Sequence, residues 1–290
     1  MAAFFTDLKQ HFKEGNALKR LIIVNVSVFV VVGLIEVVGK LFKIEGLAIT
    51  PYLSLSSSPM EVISRPWTLF TYMFMHHDVW HILFNMLWMY WFGVLFLQQF
   101  TEKQLVALYI FGGLSGALLY ILVYNTIPLF IGNYSVMVGA SASVLAIVSA
   151  TAFRIPDYSM RLLFLGDVKL KYIAAFTIVI DLLGVTSNNA GGHWAHLGGA
   201  LMGFIFVLAI TQGTDITKGF NQLIDKFASI SRPKPRMKVK YQRAETDMEY
   251  NARKNIDTQR MDQILEKLKK SGYVSLTPEE KQFLFDASKK

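Results

Sequence analysis

Ser141, His196, His81 and Asn85 are the residues of this chain whose chemistry packing explains least. A serine hydroxyl is a weak nucleophile until a base takes its proton, and histidine is the side chain suited to that task near neutral pH. Acyl transfer also needs N–H donors aimed at the developing oxyanion; imidazole and amide side chains serve there beside backbone N–H groups. Ser141 sits in Gly139-Ala140-Ser141-Ala142-Ser143, near the start of an apolar run over residues 136–153. His81 and Asn85 are spaced i,i+4 and so share one helical face; His193 and His196 are spaced i,i+3. A lone serine on a membrane helix usually bonds back to the carbonyl one turn earlier or to a neighbouring helix. Several polar or ionisable groups at one membrane depth instead read as a functional site.

The elements that must position these groups follow from composition. The chain has 290 residues, 53% of them hydrophobic, and the apolar residues are gathered into long runs, as in a polytopic membrane protein. Six spans are predicted, over residues 21–42, about 77–100, 105–124, 136–153, 172–183 and 193–211. The fold class is therefore all-α, a six-transmembrane-helix bundle. Four parts are expected: an N-terminal segment 1–20, the membrane domain 21–212, a basic linker 213–256 and a C-terminal helical hairpin 257–290. The hairpin reading rests on Met261, Ile264, Leu265 and Leu268 on one face, Gly272 as a stop, and a capping-box start at Thr277-Pro278-Glu279-Glu280. It reads as a small helical cytoplasmic tail.

The net charge of +8 points to membrane orientation and not to nucleic acid, because the basic residues lie in the ends and short loops. Lys9, Lys13, Lys19 and Arg20 precede span 1; Lys103 lies between spans 2 and 3; Arg154, Arg161, Lys169 and Lys171 lie between spans 4 and 5. The 3–4 and 5–6 loops carry no Lys or Arg at all. Both termini are thus expected to be cytoplasmic, in a multi-pass protein of a bacterial cytoplasmic (inner) membrane. The chain has no cysteine, which excludes disulfides, Fe–S clusters and thiolate zinc sites.

With this topology spans 2, 4 and 6 enter from the same outer side, and each carries its polar residues shortly after entry. His81, Asn85, Ser141, His193 and His196 are therefore placed at similar depth. Span 4 has Ala142, Ala146 and Ala150, and span 6 has Ala195, Gly199 and Gly203. Such four-residue ladders of small residues let two backbones approach closely. If these faces meet, Ser141 and His196 come together, with His196 as general base. His81, Asn85 and a span-4 backbone N–H would then form the oxyanion hole.

At these residues the sequence resembles the rhomboid family of intramembrane serine proteases. The resemblance is carried in order by His81-Ile82-Leu83-Phe84-Asn85, Gly139-Ala140-Ser141-Ala142 and Ala195-His196-Leu197-Gly198-Gly199 with Gly203. It implies Ser141 as nucleophile, His196 as base, and His81 and Asn85 as oxyanion residues. It further implies a water-filled cavity above Ser141, substrate entry past span 5, a gate formed by spans 2–5, and small residues such as Ala at the cut. Two positions depart from the family pattern: Ala142 stands where many members have Gly, and Trp67 is followed by Thr68, with Arg65 on its other side.

The expected activity is cleavage of a single-span membrane protein near the outer surface, with no cofactor and no metal; the partners are the lipid bilayer and the transmembrane substrate. Two rivals stand beside it. One is a catalytically inactive relative that binds membrane helices. The other is a metal-dependent membrane hydrolase built on His76, His77, His81, His193 and His196; against it, Asp78 and Asp181 complete no recognised ligand motif.

Overall fold

The computed structural model describes residues 15–162, 165–231 and 246–288. The chain divides into two compact units, Met1–Arg232 and Pro233–Lys290. The segment 1–20 and the linker 213–256 fall partly outside the described residues.

The first unit is a helical bundle. Helix α1 (Ala17–Phe42) starts at Asn16, whose side chain accepts from Lys19 N, and leaves most of its apolar surface exposed, as a lipid-facing helix does. Between α1 and the next long helix the chain is not open loop. It folds into short helical turns and a two-residue strand β1 (Leu55–Ser56). Its anchors are Trp67 Nε1 donating to Tyr52 O at 2.9 Å and the Arg65 guanidinium over the Tyr52 ring. The reordered Arg65–Trp67 pair thus still ties this segment down.

Helix α2 (Val79–Leu97) and helix α3 (Glu102–Thr126) follow, α2 capped by Asp78 and α3 by a Thr101/Gln104 capping box. Strand β2 (Val136–Met137) pairs antiparallel with β1, Leu55 opposite Met137 and Ser56 opposite Val136. Helix α4 (Ser141–Arg154) then begins, five residues later than the apolar run suggests. The cause is local. Residues 136–137 are committed to the β1 ladder, and Gly139 has φ +137°, a conformation that breaks helix. After α4 come a hairpin of β3 (Ser159–Leu162) and β4 (Gly166–Lys169), helix α5 (Leu170–Gly184) and helix α6 (Ala190–Thr211).

Among the described residues, α1, α2, α3 and α6 are long and apolar enough to cross a membrane. Helices α4 and α5 have 14 and 15 residues, short of the ~20 that a full crossing takes. The chain is thus a helical membrane bundle, and among the described residues four of the six expected spans are helices long enough for a full crossing.

Glycines set how closely the helices meet. A Cβ at Gly199 would overlap the Ala142 carbonyl, and one at Gly203 the Ala146 carbonyl, so α6 lies directly on the backbone of α4. A Cβ at Gly198 would stand 2.7 Å from Ser115 O of α3. Ser115 Oγ donates to Gly198 O and Ser149 Oγ to Ala200 O, which satisfies hydroxyls that lipid would leave unpaired. The two small-residue ladders of spans 4 and 6 do face each other.

Helix α7 (Lys218–Ser231) occupies part of the stretch expected as linker, with Phe220 edge-on to Phe111 and Lys103 paired to Asp225. In the second unit helix α8 (Asp247–Ser271) begins ten residues before the hairpin boundary expected at 257, because Thr246 and Glu249 form a capping box. It ends at Gly272, and helix α9 (Pro278–Ala287) starts on the Thr277/Glu280 capping box.

Candidate active site

Ser141 occupies the first position of α4, after an extended strand and the turn at Gly139. Its backbone N–H belongs to the set of helix N-terminal donors that have no partner within the helix. Such donors sit at the positive end of the helix dipole and suit a developing anion. Irregular backbone at this depth is tolerated where it lines a cavity, and Ser141 lines one of about 760 Å³.

His196 reaches the same cavity from α6. Its Nε2 lies 2.7 Å from Ser141 Oγ, a hydrogen-bond distance. The close approach of α6 to α4 at Gly199 and Gly203 makes this distance possible, since His196 lies one turn before Gly199.

His81 and Asn85 stand on the opposite wall, on α2. The His77 backbone N–H donates to His81 Nδ1 at 3.4 Å, which directs the ring proton to Nε2. That Nε2 lies against Gly139: a Cβ there would be 2.9 Å from it. Gly139 is therefore required twice, for its positive φ and for room beside the imidazole. Asn85 is buried and donates one amide hydrogen to His81 O at 2.8 Å, which leaves its second N–H for a ligand in the cavity. All four expected site residues thus line one cavity.

Ser143 does not. It is fully buried, and its Oγ has no hydrogen-bond partner. The methyl of Ala142 faces Gly116 of α3, where a Cβ would come within 2.7 Å of it. The side chain that replaces the usual glycine is thus taken up between α4 and α3.

Asp78 also lines the cavity, and His76 packs behind His81. The His76 ring stands edge-on to His81, with centroids 5.1 Å apart; burial first, and the neighbouring His81 second, push His76 down to about 4. Asp78 accepts from His81 N at 2.9 Å, and this backbone bond holds its carboxyl below the usual range. The cavity lining also includes Trp80, Phe84 and Trp88 of α2 and Phe176 and Ile180 of α5.

Reasoning from sequence noted Asp181 only as an acid that completes no ligand motif, and missed its pairing with the two histidines. Asp181 of α5 is buried, and its Oδ1 lies 2.8 Å from Nδ1 of both His193 and His196. A signal was available: an acid inside an apolar helix is rarely idle. Asp181, His193 and His196 present ligand atoms within 4.8 Å of one another, a donor set that a transition metal accepts. Hydrogen bonds between these same atoms already account for their arrangement.

The family model described as "Rhomboid domain" matches residues 64–213, just over half of the 290-residue chain. The chain belongs to the rhomboid family. A second model, a family of unknown function (DUF6576), matches residues 244–290, outside the rhomboid domain. The rhomboid chain is 32% identical over 157 residues to "RHOMBOID-like protein 12, mitochondrial" of Arabidopsis thaliana, covering 50% of this chain and 47% of the relative. It is 28% identical over 214 residues to "RHOMBOID-like protein 6, mitochondrial" of the same plant, covering 63% and 65%. To "Presenilin-associated rhomboid-like protein, mitochondrial" of Rattus norvegicus it is 26% identical over 178 residues, covering 58% and 44%. The chain spans about half to two thirds of the length of these relatives. Their names place them in mitochondria, which overturns the bacterial cytoplasmic membrane expected above. That expectation rested on loop charge, and loop charge reports which side a loop lies on without naming the membrane. The integral, multi-pass placement of the rhomboid domain stands.

Proposed function

We propose that this rhomboid domain is an intramembrane serine endopeptidase that cuts single-span membrane proteins near the membrane face on which Ser141 lies. The observation that carries the reading is the 2.7 Å contact of His196 Nε2 with Ser141 Oγ inside a cavity of about 760 Å³. The names of the relatives make a mitochondrial membrane the setting of the proposal.

Chemically, Ser141 Oγ attacks the scissile carbonyl while its proton passes to His196 Nε2. The oxyanion accepts from His81 Nε2, the Asn85 amide and the Ser141 backbone N–H. Collapse breaks the C–N bond, and His196 returns the proton to the leaving amine. A water entering the cavity then repeats the sequence on the acyl-enzyme, giving the free acid and restoring Ser141. The apolar walls from α2 and α5 suit a lipid-embedded segment that approaches between them. A scissile bond must be presented as extended chain, and unwinding a helix deep in hydrocarbon leaves polar groups unpaired at several kcal/mol each. Near the Ser141 face water reduces that cost, so substrates with Gly or Pro just downstream of the cut are favoured.

The test is labelling with a fluorophosphonate probe, with and without a chelator, followed by cleavage of a model single-span substrate. Labelling that requires Ser141 and survives the chelator supports the protease reading. Cleavage that is lost on chelation and occurs without labelling of Ser141 would favour the metal-dependent hydrolase. Absence of both labelling and cleavage in correctly folded protein would favour an inactive helix-binding relative.

A further inference from the structure

We infer that Asp181 is a positioning residue for His196: its carboxylate holds the proton of the imidazole on Nδ1 and so leaves Nε2 free to accept from Ser141. The inference rests on the reading of Ser141 and His196 as nucleophile and base.

A neutral imidazole has one N–H and one lone pair, and the partners of its two nitrogens decide which of them carries the proton. His196 Nδ1 faces Asp181 Oδ1 at 2.8 Å, and His196 Nε2 faces Ser141 Oγ at 2.7 Å. An ionised carboxylate only accepts, so Nδ1 must donate, and the lone pair falls on Nε2 opposite the hydroxyl. The same carboxylate oxygen lies 2.8 Å from Nδ1, which keeps its proton when His196 becomes an imidazolium, and so steadies that charge.

The surroundings hold Asp181 in that role. Its side chain is 6% exposed, while its helical neighbours Val179, Leu182 and Leu183 point outward. A carboxylate withdrawn from water in a membrane protein needs donors. His193 supplies the second: its Nδ1 also lies 2.8 Å from Oδ1. The His193 ring in turn fills the space over Gly184, where any Cβ would overlap it. Helix α5 and the first turns of α6 are thus joined by one acid and two imidazoles, both of which meet Oδ1. Asp181 reaches the cavity lining, but its Oδ1 is engaged by His196 and His193 and no hydrogen bond links it to Ser141, so it acts on the hydroxyl through His196.

The experiment compares wild type, Asp181→Asn and Asp181→Glu in one detergent or bilayer preparation. The readouts are kcat and KM on a model substrate, fluorophosphonate labelling rate and thermal midpoint. An Asn side chain can donate to Nδ1 and so permits the wrong tautomer. The expected result is a kcat about 100- to 10,000-fold lower in Asp181→Asn, with KM within about threefold and partial recovery in Asp181→Glu. A kcat within threefold of wild type in a folded Asp181→Asn protein would overturn the inference. Should that variant not fold, the decision passes to the wild type itself. Its ¹⁵N-histidine spectrum at neutral pH is expected to show His196 protonated on Nδ1, and a proton on Nε2 would overturn the inference. A wild type that carries no probe on Ser141 would sink the protease reading instead, and the tautomer measurement separates the two failures.

Discussion

Gly199 of α6 lies so close to the Ala142 carbonyl of α4 that no side chain fits between them. This contact is next to Ser141 on one helix and three residues from His196 on the other. It sets the separation of the two helices that carry the proposed nucleophile and base. Gly199→Ala is expected to push α6 off α4, destabilise the protein by about 1–3 kcal/mol and lower turnover further than that loss of folded protein accounts for. Gly33→Ala is the control, because nothing lies within 4 Å of a Cβ at Gly33 on α1. Thermal unfolding and probe labelling of both variants check the expectation. A wild-type Gly199→Ala protein would show that the spacing is not set there.

Ser141→Ala and His196→Ala are each expected to abolish cleavage, since losing one member of a catalytic unit costs nearly as much as losing both. Ser143→Ala is expected to keep activity and stability, because its buried hydroxyl has no partner to lose. Substrate cleavage by the three variants decides it; an inactive Ser143→Ala beside an active Ser141→Ala would reverse the assignment.

Removing oxyanion donors is expected to have a graded effect. Asn85→Ala and His81→Ala should each lower kcat by roughly 10- to 1000-fold, because the other side chain and the backbone N–H remain. Gly139→Ala should be at least as damaging. It adds a Cβ 2.9 Å from His81 Nε2 at a residue whose φ is +137°. Undiminished turnover in the His81/Asn85 double variant would remove the oxyanion role from α2.

The second unit carries its own pH dependence. Lys267 Nζ donates to Glu280 Oε2 at 2.9 Å and the Thr277 N–H to the same oxygen at 2.7 Å. The lysine bond first, and the backbone bond next, hold the Glu280 carboxyl below its ordinary value. A lowered folded pKa means that the stabilisation is present above the unfolded value of about 4.3 and is lost as the pH falls through the folded value. Hydrogen exchange at the first amides of α9 in the intact chain should therefore quicken, relative to intrinsic rates, below about pH 4.3. Glu280→Gln should show the faster opening already at neutral pH. Protection in Glu280→Gln equal to wild type would show that the pair contributes nothing.

The absence of native cysteine makes sidedness directly measurable. Single cysteines at Asn133, after α3, and Asn189, before α6, should react with an impermeant thiol reagent from the same side. A cysteine at Asp157, after α4, should react from the opposite side. Equal access from one side to all three would refute the alternation of α3 to α6.

Much of this was legible in the chain itself. Apolar runs located the helices because lipid burial depends on composition over about 20 residues. The tail helices were marked by Gly272 and by Thr277 with Glu280, because caps are local chemistry. The ladders at Ala142, Ala146, Gly199 and Gly203 pointed to the contact of spans 4 and 6, and with it to the meeting of Ser141 and His196. Local strength alone did not reveal where α4 begins. Residues 136–137 are as apolar as the helix they precede, and their pairing with Leu55 and Ser56 depends on a strand about eighty residues away.

Residue types and their order by themselves pointed to a helical membrane bundle, because hydropathy, helical period and small-residue spacing act within each segment, and three short motifs carried the resemblance to rhomboids and to Ser141, His196, His81 and Asn85 as its site. Only the tertiary structure decided that Ser141 opens its helix, that Ala142 points at Gly116, and that Asp181 meets His193 and His196. The first depends on a strand pairing with a distant segment, and the other two on the rotation of one helix against another. Helix rotation is the sum of many weak packing contacts across the bundle, and no single stretch of sequence carries that sum.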